Sequence, residues 1–148
     1  RAEKGFIMIG DESDGTVIPQ DLGLHWAISK KKEDYLGKRA QQRRDMARDD
    51  RWQLVGLRTL DGGVIPDGAY ALGEGKNANG QRNMIGRVTS TYYSPTLEKG
   101  IAMGLIVHGP DRMGEVVDFA TLDGTGTVIK AEICDPCFYD KEGRKADV

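Results

Sequence analysis

The sequence predicts a mainly β protein with some α-helix, in which a mixed segment of 50 residues precedes a small antiparallel barrel or sandwich. From residue 51 onward, short runs rich in β-branched and aromatic residues follow one another with no helical pattern between them. Turn signals such as Asp61-Gly62-Gly63 and Pro66-Asp67-Gly68 separate these runs. Most of the 20 glycines also fall in this half, where tight turns and strand crossings use them.

Composition limits the classes of protein to which the chain can belong. Its 148 residues suffice for one domain, or for one domain and a fragment of another. The longest apolar run, residues 101–107, is strand-sized and too short to span a bilayer, so no membrane association is expected. A net charge of -2 argues against nucleic-acid binding. The chain has neither a starting Met nor a signal-peptide pattern, so we expect it to be a piece of a longer protein.

In the first 50 residues, short apolar runs alternate with polar stretches. Residues 6–9 predict a strand, and residues 26–28 predict a buried run in which Trp26 packs into the core. Pro19 predicts the start of a helical turn. Asp34 is the expected N-cap of a polar surface helix over residues 37–47, which has few apolar anchors.

The second half contains at least five candidate strands. Gly73-Glu74-Gly75 is expected in a turn region and lacks the strand and helix that flank a dinucleotide-binding loop. No Gly-x-Ser-x-Gly elbow and no phosphate-binding loop occurs, so spacing alone predicts no catalytic residue. The candidate strands are residues 52–57, 85–93, 101–107, 115–122 and 127–134.

The two cysteines, Cys134 and Cys137, form a Cys-x-x-Cys motif at the end of the last candidate strand. One such pair cannot fill a tetrahedral zinc shell, and neither His25 nor His108 has the spacing of a metal ligand to it. A redox motif normally precedes a helix, whereas Pro136 lies inside this one and no helical pattern follows. We therefore expect two small, partly buried side chains and no metal site.

The charged residues of the first segment suggest one ligand-binding arrangement. Glu3 and the acidic loop at residues 11–15 precede the basic run Lys30-Lys31-Lys32. A carboxylate can accept paired N–H donors from an aminopyrimidine-type ring, and lysines can pair with carboxylates at the other end of a ligand. This arrangement fits a folate. The ordinary interpretation of the basic run is a solvated surface, and a local anion site is the alternative.

Four groups of residues stand in an order and spacing that together are specific. They are Arg1-Ala2-Glu3-Lys4-Gly5 with Gly10, Asp14, Pro19, Gly23 and Trp26; Asp34-Tyr35-Leu36-Gly37-Lys38; Leu54-Val55-Gly56-Leu57; and Gly86-x-Val88-Thr89-Ser90 with Ser94-Pro95 and Ile101-Ala102-Met103-Gly104. In this order they resemble the glycine-cleavage T-protein (aminomethyltransferase) superfamily. Residues 26–32 and 138–143 look most like the large α subunits of heterotetrameric sarcosine oxidases.

The resemblance implies a domain division and a set of binding residues. Residues 1–50 would be the C-terminal remnant of a tetrahydrofolate-binding core, an incomplete α+β piece, and residues 51–148 the C-terminal antiparallel β-barrel domain. Glu3 would bind the pterin ring. Lys32 would contact the folate where some members carry arginine, and Tyr139 would be a further ligand contact. The stretch from Gly86 to Pro95 is expected to be a strand and its closing turn, facing the folate-binding part.

The same resemblance implies that the chain holds no catalytic residue, because the family's catalytic aspartate lies upstream of the sequence present here. The parent complex would oxidatively demethylate sarcosine to glycine with release of peroxide, and transfer the one-carbon unit to tetrahydrofolate. FAD, FMN and NAD would be bound only elsewhere in that complex. The implied setting is the bacterial cytoplasm, with the other subunits of a heterotetrameric oxidase as partners.

Two alternatives to the oxidase interpretation remain open. One is a fragment of a glycine-cleavage T-protein or of a dimethylglycine dehydrogenase-like aminomethyltransferase. The other is a non-catalytic module that binds folate or docks a subunit.

Overall fold

Six antiparallel strands close into a barrel in the computed structural model, which describes residues 1–145. The order around the barrel is β1-β4-β3-β2-β5-β6, and closure leaves no unpaired sheet edge. The prediction of an antiparallel β-barrel is confirmed, and the sandwich is excluded. The strands are β1 (Trp52–Thr59), β2 (Tyr70–Lys76), β3 (Arg82–Ser94), β4 (Lys99–Val107), β5 (Val116–Ala120) and β6 (Val128–Cys134).

The second strand is the element that the sequence did not predict. Gly73-Glu74-Gly75 lies inside β2, and the expectation of a turn region there is wrong. The strand exists because it pairs with both β3 and β5, although its register against β3 shifts twice. A Cβ atom at Gly73 would lie 2.8 Å from the side chain of Ile85. The glycines that make β2 look like a turn in the sequence therefore allow β2 to approach β3 closely.

The barrel interior is a single apolar cluster contributed by the strands and by the loop before β2. Phe119 is its largest fully buried side chain, and four alanines stand among the larger aliphatic residues that fill the interior. Close packing of this kind makes the barrel the main source of hydrophobic stabilisation. The members are Val55, Leu57, Ile65, Ala69, Ala71, Val88, Ala102, Ile106, Val117, Phe119, Ala131 and Ile133.

A second apolar cluster lies on the outer face of β1 and β4. Leu54 pairs directly with Leu105 across these strands, and Leu22 from the first segment packs on them. Met103, also in the cluster, is fully buried. Strands β1 and β4 are thus buried on both faces, because the first 50 residues lie over the outside of the barrel. The partly buried members packed against this cluster are Ile7, Val17, Leu24, Trp52 and Phe138.

The first 50 residues consist of turns and one short helix. The predicted helical turn at Pro19 is confirmed. Residues 6–9 do not form a strand: Ile9 is 93% exposed and makes only an isolated bridge to Ser13. The short elements outside the barrel strands are 3₁₀ turns at Ala2–Lys4, Pro19–Leu22, His25–Ala27 and Gly109–Arg112, and the helix α1 at Lys38–Gln41.

Two further expectations for this segment are wrong. Trp26 is 74% exposed, because Leu22 and Leu24 occupy the outer face of the barrel and the following turn points the indole away. The helix predicted over residues 37–47 ends after Gln41, and Gly37, not Asp34, is its N-cap. Beyond α1 the chain has few apolar anchors, and turns replace the helix. No helix among residues 1–145 has the length and apolarity needed to cross a membrane.

Candidate functional site

Glu3 lies in the first 3₁₀ turn, where the two ends of the described chain meet. Its backbone carbonyl accepts the N–H groups of Phe138 at 2.9 Å and Tyr139 at 3.0 Å. The turn ends at Gly5, which has a φ of 69°. A Cβ atom there would lie 2.5 Å from the carbonyl oxygen of Pro136, so only glycine permits this approach.

The carboxylate of Glu3 is held by the turn that follows β3. The hydroxyl of Ser94, itself 1% exposed, donates to Oε1 of Glu3 at 2.5 Å. The hydrogen bonds from Ser94 and Thr96 hold the pKa of Glu3 below its usual range. Glu3 is therefore an ionised, oriented acceptor at neutral pH. Ser94 also accepts the N–H of Leu97, which fixes the hydroxyl within the turn.

Beside this carboxylate lies an open cleft of about 290 Å³. One wall comes from the first turn, and the other comes from the end of β3 and the Ser94-Pro95 turn. The cleft therefore lies beside a carboxylate and the side chain of Tyr92, which Arg1 holds. Its lining residues are Arg1, Ala2, Glu3, Tyr92, Tyr93, Ser94, Pro95 and Ile101.

Arg1 joins this cleft to a buried carboxylate that the sequence did not single out. Its guanidinium donates to Glu12 at 3.1 Å, and to Ser90 and the hydroxyl of Tyr92 at 2.9 Å each. Glu12 is 0% exposed. It also accepts hydrogen bonds from the hydroxyls of Thr89 and Ser90 and from the N–H of Met8. With its acceptor sites used inside the chain, Glu12 attaches the first segment to the barrel and does not face a ligand.

A β-bulge explains how two neighbouring hydroxyls reach the same carboxylate. The pairing of β3 with β4 slips between Val88, opposite Gly104, and Ser90, opposite Met103. In a regular strand, adjacent side chains point to opposite faces of the sheet. The extra residue, Thr89, lets both hydroxyls face Glu12. These contacts show that the stretch faces the first segment.

The structure brings Tyr139, but not Lys32, close to Glu3. Tyr139 is joined to Glu3 through the backbone, and its ring lies 4.9 Å from the ammonium group of Lys145. Lys32 is exposed between the third 3₁₀ turn and α1, as are Lys30 and Lys31. Within residues 1–145, no hydrogen bond or ion pair links Lys32 to Glu3 or Tyr139. The basic run is a solvated surface in this structure.

A larger cleft of about 530 Å³ lies at the seam between the first segment and the barrel. Its most buried charges are already paired: Arg51 donates to both carboxylate oxygens of Asp21, at 3.0 and 2.6 Å, and to the carbonyl of Thr16. Arg48 pairs with Asp50. Because these charged groups form ion pairs with one another, we assign this cleft a role in attaching the first segment to the barrel rather than in binding a ligand.

The two cysteines of the Cys-x-x-Cys motif lie at and just after the end of β6, as the sequence predicts. Cys134 ends β6 and is buried, Cys137 is half-buried, and both are free thiols. Burial raises the pKa of the Cys134 thiol to about 11, so it is a poor nucleophile at neutral pH. In the part of the chain that the structure describes, no group of three or more His, Cys, Asp or Glu side chains could hold a metal ion.

A barrel family model covers most of the second half of the chain. Residues 53–140 match the glycine cleavage T-protein C-terminal barrel domain. Over 95% of its length the chain also superimposes on 37% of the crystal structure of glycine cleavage system aminomethyltransferase T from Bartonella henselae. The TM-score is 0.75 and the sequence identity is 25%.

Curated relatives extend the similarity to the whole chain. The sarcosine oxidase subunit alpha of Corynebacterium sp. strain P-1 is 39% identical over 99% of this chain, and that of Rhizobium meliloti is 37% identical over 100%. The aminomethyltransferase of Thermosipho melanesiensis is 32% identical over 94%. The chain spans only 15% of the length of the two oxidase subunits and 35% of the aminomethyltransferase.

Proposed function

The chain belongs to the glycine cleavage T-protein family, whose C-terminal barrel domain it carries, and from this premise we propose that it is the C-terminal part of a sarcosine oxidase α subunit. One observation carries the proposal. The similarity to such subunits reaches 37–39% identity across practically the whole chain, including the first 50 residues, which lie outside the family model. The aminomethyltransferases found are 30–34% identical over 88–97% of the chain.

The parent complex would act on sarcosine. The N-methyl group is oxidised in another part of the complex, molecular oxygen is reduced to peroxide, and glycine is released as the one-carbon unit passes to tetrahydrofolate. The FAD, FMN and NAD of such a complex would be held outside this chain, and its other subunits would be the partners. We place the complex in the bacterial cytoplasm.

This chain would contribute binding and orientation to the folate half of the reaction. The ionised carboxylate of Glu3 is a suitable acceptor for the paired N–H donors of a pterin ring. Lys32 and Tyr139 would contact the remainder of the folate, with Lys32 acting as an exposed point charge toward its carboxylates. Holding tetrahydrofolate in position beside the one-carbon donor accelerates transfer through proximity.

The test uses the intact parent protein with its partner subunits. Sarcosine-dependent peroxide formation is measured with and without tetrahydrofolate, while the one-carbon product is followed. We expect peroxide in both conditions, and tetrahydrofolate should divert formaldehyde into methylenetetrahydrofolate. Absence of peroxide under all conditions would contradict the oxidase assignment.

A Glu3→Ala variant tests the assigned binding role in the same protein. Removing a charged hydrogen-bonding group should weaken tetrahydrofolate binding by about tenfold or more, while sarcosine-dependent peroxide formation stays unchanged. Glu98→Ala is the matched control, because Glu98 lies in the β3–β4 turn that holds the Glu3 carboxylate but is outside the lining of the cleft. Unchanged tetrahydrofolate affinity in Glu3→Ala would remove Glu3 from the site.

The second candidate is a plain aminomethyltransferase, which the match to the Bartonella henselae structure favours. In that case the parent forms no peroxide from sarcosine but still transfers a one-carbon unit to tetrahydrofolate from an aminomethyl donor. The peroxide measurement thus separates the two candidates.

A further inference from the structure

The outer face of β2, β5 and β6 carries an exposed apolar row. Tyr70 pairs with Ala120, and Ala120 pairs with Val128, so the three side chains share one face of the sheet. Phe119, next to Ala120, points into the barrel core. Because neighbouring side chains of a strand point to opposite faces, the row lies on the outside of the barrel.

Two leucines extend this row toward the loops at one end of the barrel. The N–H of Leu60 donates to the carbonyl of Lys130, two residues from Val128, at 3.1 Å. A Cβ atom at Gly68 would lie 3.4 Å from the side chain of Leu122, so that leucine lies against the β1–β2 loop. Exposed apolar side chains that adjoin one another in this way are typical of interaction sites. We define the docking face as four side chains, each at least 40% exposed: Leu60, Tyr70, Leu122 and Val128.

The loops that border the docking face are acidic. Because neighbouring strands are antiparallel, the loops after β1, β3 and β5 lie at the same end of the barrel. These loops, residues 60–69, 95–98 and 121–127, hold four carboxylates and no Lys or Arg. The nearby ammonium group of Lys130 pairs with Asp118 instead. The apolar side chains therefore have a negatively charged rim.

Two carboxylates of this rim are oriented by their own loops. Oδ1 of Asp123 accepts hydrogen bonds from the hydroxyls of Thr121 and Thr125 at 2.7 Å each, which lower the pKa of Asp123 to about 2. Oδ1 of Asp61 accepts the N–H of Gly63 at 2.9 Å. Within residues 1–145, Oδ2 of each carboxylate receives no hydrogen bond. These oxygen atoms can therefore accept hydrogen bonds from a partner.

An apolar centre with an acidic rim limits what can cover the face. A nucleic acid or an anionic membrane surface would be repelled by the carboxylates. In a twofold contact between two copies of this chain, both copies would present the same acidic loops, and these would repel one another. A protein surface on which Lys or Arg side chains surround apolar ones is complementary to both features.

We propose that the docking face binds another subunit of the parent complex, through a surface on which Lys or Arg side chains surround apolar ones. This inference rests on the proposed function, in which the parent protein has partner subunits. No residue of the docking face lines the cleft beside Glu3. Changes on this face should therefore leave tetrahydrofolate affinity unchanged.

The first experiment couples carboxylates to lysines in the intact parent complex with a carbodiimide, which adds no spacer and so joins only groups in direct contact. Mass spectrometry then identifies the coupled peptides. We expect Asp61, Asp67 or Asp123 to be joined to a lysine of another subunit. Coupling only to the parent's own polypeptide, or to a second copy of it, would overturn the proposal.

The second experiment measures assembly of variant complexes by analytical ultracentrifugation at a series of dilutions. Asp67→Lys reverses one charge of the rim, and Leu122→Ser removes an apolar contact; each should weaken assembly about tenfold or more. Asp111→Lys and Met113→Ser make the same changes at exposed positions in the β4–β5 connection, at the opposite end of the barrel, and should assemble as wild type. Thermal unfolding of each variant identifies weaker assembly that follows from a destabilised barrel.

The peroxide measurement separates failure of this inference from failure of the proposed function. If the parent forms peroxide from sarcosine but Asp67→Lys and Leu122→Ser assemble as tightly as wild type, the docking face is disproved and the proposed function stands. If both variants weaken assembly and both controls do not, the docking face is supported. If no peroxide forms and no other subunit purifies with the parent, the proposed function fails and the inference fails with it.

Discussion

The first 50 residues and the barrel they lie on are stabilised in different ways. In the barrel, a closed ladder of backbone hydrogen bonds surrounds an interior in which Phe119 and Val55 are completely buried. In the first segment, Ile9, Trp26 and Leu36 are 93%, 74% and 104% exposed. The same chain thus contains a region with its own closed core and a region whose buried apolar side chains, such as Leu22, pack only on the outside of that barrel.

In the first segment, polar anchors act together with the apolar contact between Leu22 and the outside of the barrel. Glu12 is bonded to Thr89 and Ser90 of β3, Asp21 is bonded to Arg51, and the Glu3 carbonyl is bonded to the chain end. Each anchor is a small number of hydrogen bonds, and the loss of one leaves a buried group without a partner. The barrel should therefore unfold as one cooperative unit, and the segment should detach locally before it.

The largest effect is expected from a cavity inside the barrel. Phe119→Ala should destabilise the protein by about 3–5 kcal/mol, because it removes the largest fully buried side chain. Urea unfolding followed by circular dichroism measures the loss, and alkylation of the buried Cys134 should accelerate as the barrel opens. Phe6→Ala, at a phenylalanine that is 63% exposed, should change stability by no more than about 0.5 kcal/mol. Equal effects of the two changes would remove the contrast between the regions.

A smaller and local effect is expected at the main anchor of the segment. Glu12→Gln removes the negative charge of a carboxylate that accepts hydrogen bonds from Arg1, Thr89 and Ser90. The free energy that holds the segment on the barrel should fall by about 2–3 kcal/mol. Limited proteolysis should then cut within residues 1–50 sooner, while Cys134 stays unreactive. Asp11→Asn is the matched control, since Asp11 is partly exposed and reaches Arg1 only at 4.0 Å. Faster alkylation of Cys134 in Glu12→Gln would show that the two regions unfold together.

The smallest effect is expected from acid. Burial opposes ionisation of Glu12, but hydrogen bonds from Ser90, Met8 and Thr89 and the charge of Arg1 outweigh it and hold its pKa below the usual range. A carboxylate with a lowered pKa stabilises the folded state above its unfolded pKa, about 4.3, and this contribution is lost as the pH falls through the folded value. Segment attachment should therefore be constant from pH 7 to about 5 and weaken below about 4.

The comparison of wild type with Glu12→Gln isolates this contribution from those of other carboxylates. Glu3 and Asp14 in the same segment also have lowered pKa values, and they titrate in both proteins. Protease sensitivity of residues 1–50, measured from pH 7 to pH 3, should differ between the two proteins at neutral pH and converge in acid. A difference that persists unchanged at pH 3 would show that Glu12 acts through its shape and not its charge.

Prediction from sequence succeeded where a single element carries its own signal. The runs of β1, β4 and β6 combine β-branched and aliphatic residues and end at glycine or polar turns, and these strands lie close to their expected bounds. It failed at β2, whose glycines suggest a turn, and at residues 6–9, whose apolar side chains suggest a buried strand. In both cases contacts with residues distant in the sequence decided whether a strand forms.

The candidate site shows the same division. Glu3 was predicted as a binding residue from a short motif, because its neighbours in sequence carry the resemblance. Ser94, which orients the carboxylate, lies 91 positions away along the chain. No local pattern links Ser94 to Glu3, because only the packing of the first segment against the end of β3 brings them together.

The sequence by itself determined the family, through the order and spacing of its motifs, and the resemblance implied the barrel. It also located the first, third, fourth, fifth and sixth strands, because turn residues and β-branched runs act locally. The tertiary structure alone decided that Glu12 is a buried anchor and not part of an acidic ligand surface. The bulge at Thr89 turns two hydroxyls toward that carboxylate, and Arg1 neutralises it. A charge is buried only where distant donors converge on it, and that convergence is a property of the folded chain.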